Sequence, residues 1–234
     1  MESPPAASGV VLLGGAGLQP WIWDAVAPQL SLPAVAARYP RGSPPASLRQ
    51  YAESVLQQID DSGFSRVVIV AHSIGGAVGT ELAGLIRGRV TGFLAISAVV
   101  PRPRHGFVSS LPFPQRLVMG AMLRFAGTRP PADAIRSGLC NGLPTDVADR
   151  VVNEFSPESK LLYLDTVEHG LPAVPRGYVR TTDDKELPER MQRRFSATLG
   201  GSFAAELSTG HLPMLADPHA TAATINRFLD GARA

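Results

Sequence analysis

The chain is poor in cysteine, in aromatic residues and in charge. Cys140 is the only cysteine among 234 residues. No internal disulfide can therefore staple the fold, and a reducing, cytoplasmic setting is the simpler expectation. Aromatic residues make up 6% and charged residues 18%, with a net charge of +2. The basic residues are scattered, with small clusters at Arg102/Arg104 and Arg190/Arg193/Arg194, which gives solvated faces rather than the basic stripe that nucleic acid requires. No run approaches the roughly 18 apolar residues that span a bilayer. Residues 1–8 have neither the basic start nor the apolar stretch of a signal peptide. What remains is a chain 44% hydrophobic, long enough to bury one large core.

Short apolar runs alternate with helical periodicity, the pattern of a parallel sheet with crossover helices. Six runs read as strands: Val10–Leu13, Ala34–Ala37, Arg66–Ala71, Gly92–Ser97, Gly177–Thr182 and Phe203–Leu207. Ser47-Leu48-Arg49-Gln50 has the form of a capping box. Leu48, Tyr51, Ala52, Val55, Leu56 and Ile59 then form one apolar helical stripe. Asp217-Pro218 predicts the start of a last helix. Between residues 101 and 171 the rhythm changes: prolines accumulate, no strand pattern occurs, and helical spacing is legible at Pro114–Phe125 and Thr145–Phe155. The expected organisation is an α/β core at 9–100 and 172–234, an inserted helical cap at 101–171 and an N-terminal tail at 1–8. The sheet should have about six mostly parallel strands.

One strand runs straight into Ala71-His72-Ser73-Ile74-Gly75-Gly76 and then a helix. A serine on such a sharp turn is strained and lifted to the carboxyl edge of the sheet, where it can act as a nucleophile. The turn needs small residues two places either side, here Ala71 and Gly75. It also aims the Ile74 N–H and the helix dipole at the reacting centre. The bland alternative, a serine capping an ordinary helix, would need no partners elsewhere. A nucleophilic serine needs a base. Of five histidines, His211 follows the last strand by a short loop, where a base belongs. His72 should point away from Ser73, His105 and His169 lie in or beside the cap, and His219 is within the last helix. The acid is expected just past Gly177–Thr182, at Asp183 or Asp184. Gly14-Gly15-Ala16-Gly17 supplies a small-residue loop after the first strand, with the Ala16 N–H as the second oxyanion donor beside Ile74. It lacks the further residues of a dinucleotide fingerprint or a P-loop.

These motifs resemble the α/β-hydrolase superfamily, and within it the group of plant methylesterases, hydroxynitrile lyases and small bacterial esterases. The resemblance covers nearly the whole chain after residue 8. It rests on Leu13-Gly14-Gly15-Ala16 with Trp21-Ile22-Trp23, on the Ser73 segment, on Tyr178–Pro188, and on Thr209-Gly210-His211-Leu212-Pro213-Met214-Leu215. The family's acid stands three residues before its Ile/Leu-Pro pair, which selects Asp184. Gly14 stands where the family has a histidine that braces the oxyanion loop. The family's lyases have Thr at the position of Gly15 and Lys at that of Leu212. A lyase needs a cation for departing cyanide, so Gly15 and Leu212, both expected at the substrate pocket, fit the esterase side.

The resulting expectation is a serine hydrolase acting on a small, apolar carboxylic ester, or a related thioester or lactone. Ser73 is the nucleophile, His211 the base and Asp184 the acid. No metal or organic cofactor is implied, nucleic acid and membrane are not expected as partners, and monomer and homodimer are equally compatible. The alternatives are a lyase or tailoring enzyme on the same three residues, and a non-catalytic ligand-binding protein on the same fold.

Overall fold

The computed structural model describes residues 7–42 and 44–233. Of the expected tail at 1–8, residues 1–6 lie outside the described ones, and Ser8 already belongs to the first strand. Six strands form one sheet: β1 (Ser8–Leu13), β2 (Ala34–Ala36), β3 (Arg66–His72), β4 (Val90–Ile96), β5 (Arg176–Thr181) and β6 (Phe203–Leu207). Their order is β2-β1-β3-β4-β5-β6, and every neighbouring pair is parallel. The sheet is thus wholly parallel rather than mostly so. The fourth strand begins and ends earlier than its apolar pattern suggested, which leaves Ser97 off the sheet in a left-handed conformation, φ 42°.

Strand alternation divides the core into two layers. In β3, Val67, Ile69 and Ala71 join one buried cluster, whereas Val68 and Val70 join the other. The first layer takes the apolar faces of α1 (Leu48–Asp61), α2 (Gly75–Leu85) and α8 (Glu189–Leu199). The second takes Ile22 and Trp23 from a short 3-10 turn and Ile225, Phe228 and Leu229 from α10 (Pro218–Arg233). Each such aliphatic or aromatic side chain contributes roughly 1.5–3 kcal/mol on burial. The local signals operate as physics requires. Ser47 and Gln50 close a reciprocal capping box at the start of α1. Asp217 accepts from the Ala220 N–H at 2.9 Å at the start of α10.

Between β4 and β5 the described chain holds only helices: α3 (Phe107–Ser110), α4 (Gln115–Phe125), α5 (Ala132–Ala134) running into a π-turn at Ile135–Leu139, α6 (Thr145–Glu154) and α7 (Lys160–Leu164). No helix among the described residues is long and apolar enough to cross a membrane. A short α9 (Pro213–Ala216) precedes the last helix.

Because all strands run the same way, their carboxyl ends lie along one edge, where ligands bind in open α/β sheets. The loops after β1, β3, β5 and β6 carry Gly14–Gly17, Ser73, Asp184 and His211.

Candidate active site

Ser73 follows β3 directly and has φ 55°. A left-handed non-glycine residue costs about 1–3 kcal/mol and persists only when its surroundings impose it. Here both ends of the residue are held. Its N–H donates to Ile96 O at 3.3 Å, and its carbonyl accepts from the Gly76 and Val99 N–H groups at 3.1 Å each. The tight approach explains Gly76, since a Cβ there would lie 2.3 Å from Val99 O.

Across the sheet edge, His211 Nδ1 donates to Asp184 Oδ2 at 2.8 Å, with both side chains almost wholly buried. Asp184 is fixed from several directions. Its Oδ1 accepts from the Glu186 and Leu187 N–H groups at 2.8 Å each. Its Oδ2 accepts from the hydroxyls of Thr181 (2.8 Å) and Ser97, and from Gln192 Nε2 at 3.3 Å. Burial alone would raise the Asp184 pKa, but the His211 ring and these hydrogen bonds outweigh it and hold the carboxyl well below its usual range. Asp183, by contrast, is exposed, and only its backbone is engaged, with Thr209 O and Asn141 Nδ2.

His211 Nε2 is buried, lacks a hydrogen-bond partner among the described residues, and belongs to a side chain lining a cavity of about 560 Å³. Ser73, Ile74 and Ala16 line the same cavity, and most of the remaining wall is apolar, including Met119, Met122, Leu123, Phe155 and Met191. The backbone N–H groups of Ala16 and Ile74 have no acceptor among the described residues. Lys185 and Glu186 also reach the cavity.

Gly15 and Leu212, both expected at the pocket, are not among the lining residues. Gly15 lies beneath the turn that carries Ser73, where a Cβ would sit 3.0 Å from that of Ser73. Leu212, 1% exposed, turns into the second core layer with Trp23 and Met214. Cys140 is buried, and burial pushes its thiol up to about 11, which leaves it an inert structural cysteine.

Several participants escape sequence reasoning. Ser97, fully buried, bridges Asp184 and His211, its Oγ 3.3 Å from Nδ1. Gln192 ties Asp184 to the backbone of Thr181 and Leu187. His72, expected to point away from Ser73, does not line the cavity, yet its Nε2–H donates to the His211 carbonyl at 2.8 Å. Burial, and then the neighbouring His211, pull the His72 pKa down to about 3. The only advance signal for His72 was its place beside Ser73.

A pH dependence follows. With its pKa lower in the folded than in the unfolded state, near 6.5, His72 takes up a proton only on unfolding as pH falls from about 6.5 towards 3. It therefore destabilises the fold progressively over that window and not above it. His72→Gln keeps a donor to His211 O but does not titrate. Melting temperature followed against pH should fall less steeply between pH 6.5 and 4 in His72→Gln than in the parent, and an unchanged slope would contradict this assignment.

The α/β-hydrolase family profile matches residues 10–224. The chain belongs to the α/β-hydrolase family. No curated protein sequence matches it. Similar solved structures include an extracellular α/β-hydrolase from a Paenibacillus species, reported to share structural and functional homology with tobacco salicylic acid binding protein 2. It has a TM-score of 0.81 at 17% identity, with 94% of this chain and 98% of that one covered. A methylesterase from Arabidopsis aligns with a TM-score of 0.76 at 16% identity over 95% and 99% of the two chains. A pyrethroid hydrolase aligns at 0.75 and 22% identity over 97% and 98%.

Proposed function

We propose that the protein is a serine hydrolase that cleaves an apolar carboxylic ester through an acyl-enzyme. The observation that carries this reading is one cavity wall that joins Ser73, the bare Nε2 of a carboxylate-backed His211, and two unclaimed N–H groups. Ser73 Oγ attacks the ester carbonyl while His211 Nε2 takes its proton. The Ala16 and Ile74 N–H groups receive the developing oxyanion. His211 then protonates the departing alkoxide, and water repeats the sequence to release the acid. Asp184 holds the His211 tautomer and the imidazolium. No hydrogen bond joins Ser73 Oγ to Nε2, a looseness common in empty hydrolase sites that tighten around substrate.

The helical segment 101–171 acts as the cap of this site. It supplies Met119, Met122, Leu123 and Phe155 to the cavity, which favours a bulky apolar acyl or alcohol group. The esterases and hydrolases among the similar structures support ester chemistry in general. The lack of any disulfide fits a cytoplasmic protein. Lyase chemistry on the same three residues needs a cation. Leu212 offers none, and Lys185 is the lining residue that could.

The test is labelling with a fluorophosphonate and turnover of p-nitrophenyl esters of increasing chain length. The expected result is label on Ser73 and higher kcat/KM for hexanoate than for acetate. Folded protein without label on Ser73 would refute the reading. A cyanohydrin cleaved faster than every ester would reassign the site to lyase chemistry.

A further inference from the structure

The glycine-rich loop after β1 is intrinsically loose, because glycine restricts the backbone least. In this chain Gly14 stands where the family's bracing histidine would be. The loop is nevertheless gripped on both sides of the peptide that carries the Ala16 N–H. Before it, the Tyr39 hydroxyl donates to Gly14 O at 2.9 Å. After it, the Gly17 N–H donates to Glu158 Oε1 at 3.1 Å. Gly17 has φ +75°, and the Phe155 ring packs where its Cβ would be. The side chain of Glu158 is wholly buried. Its Oε2 accepts from the Tyr51 hydroxyl at 2.8 Å, Tyr51 Oη in turn accepts from the Ser159 N–H at 3.1 Å, and Arg41 lies 3.9 Å from Oε1. The Tyr39 and Tyr51 rings meet tilted by 60°, with centroids 5.4 Å apart. Glu158 does not line the cavity, so it cannot touch substrate.

We propose that Glu158 is a positioning residue for the oxyanion hole: it fixes the Ala16–Gly17 peptide and thereby aims the Ala16 N–H at the carbonyl attacked by Ser73. A buried carboxylate is costly to desolvate unless donors meet it. Burial does push the Glu158 carboxyl up, against the opposing pull of Tyr51, Gly17 and Arg41. Placed here, that carboxylate meets two donors at once and ties the helical segment to the β1 loop and to α1. The proposal rests on the hydrolase reading and extends it from the residues that react to one that holds them.

The experiment compares the parent with Glu158→Ala and Glu158→Gln on one p-nitrophenyl ester. Rates are expressed per active site titrated with fluorophosphonate, so that misfolded molecules do not count. A donor aimed at the transition state governs kcat more than KM. Glu158→Ala is expected to lower kcat by about 10- to 100-fold with KM within about twofold. In Glu158→Gln the amide oxygen still accepts from the Gly17 N–H, so kcat should return to within about fivefold of the parent. If Glu158→Ala does not fold, Glu158→Asp replaces it. It keeps the charge but is one methylene too short, and it should lose more activity than Glu158→Gln. Unchanged kcat per titrated site, a loss confined to KM, or a Gln variant no better than the Ala or Asp variant would overturn the proposal. A parent enzyme that turns over no ester would instead refute the hydrolase reading beneath it.

Discussion

Replacing Ser73 by alanine is expected to lower kcat by about 10⁶-fold, the scale of loss when a serine nucleophile that works as a unit with its base is removed. The size of the effect reflects the absence of an understudy. Ser97 lies beside His211, but its hydroxyl is committed to Asp184 and it does not line the cavity. Tyr163 does line it, and burial raises its phenol far above the ordinary range, so it stays protonated. Thr128 lines the cavity too, but its hydroxyl donates to Glu158 O at 2.7 Å. Steady-state turnover measured against the buffer rate checks the prediction. Retention of more than a few per cent of the parent rate would remove Ser73 from its role.

The second large effect is a contrast between neighbours. Asp184→Asn should lower kcat by about 10⁴-fold, because an amide facing His211 Nδ1 favours the tautomer whose Nε2 carries the proton and cannot accept one. Asp183→Asn should stay within about threefold of the parent, since its side chain is exposed and its backbone makes the local contacts. The same pair separates in stability. Asp184 is held below its ordinary pKa, so its contribution is present above about pH 4 and fades as pH falls below it. Asp184→Asn should therefore be less stable than the parent at neutral pH, with the gap closing in acid. Denaturant titrations at pH 7 and pH 3 measure that gap, and a gap equal at both would contradict the assignment. Equal catalytic losses in the two Asn variants would break the register by which Asp184 was chosen.

Ser73, His211 and the Asp183/Asp184 pair are legible as candidates because each stands just past a strand, and β3 to β6 lie in chain order along the sheet edge; the choice of Asp184 within the pair rests on the resemblance. The continuous apolar runs of β1 and β3 likewise mark strands buried on both faces, and the alternation of side chains along a strand then divides them between the two core layers. The helical segment was harder to read. The amphipathic spacing of α4 and α6 announces them, whereas α3, α5, α7 and the π-turn are too short to develop a period. The groups that support the site were not legible. Glu158 meets Gly17 across 141 residues of sequence, and nothing local to either marks the pairing. Ser97 looked like the end of a strand until the backbone left the sheet one residue earlier. Leu212 was placed at the pocket by family register, yet the short turn into α9 rotates it into the core.

The contact between Glu158 and Gly17 has a practical consequence for protein engineering. Selectivity in such a scaffold invites wholesale exchange of residues 101–171 for a segment of different shape. Such a graft would discard Glu158 along with the old pocket wall and leave the Gly17 N–H buried without an acceptor. Chimeras that carry a carboxylate or amide to the same place should keep their turnover while their substrate range changes. Those that do not would look like failures of substrate fit, although the fault would lie in the loop on the opposite wall.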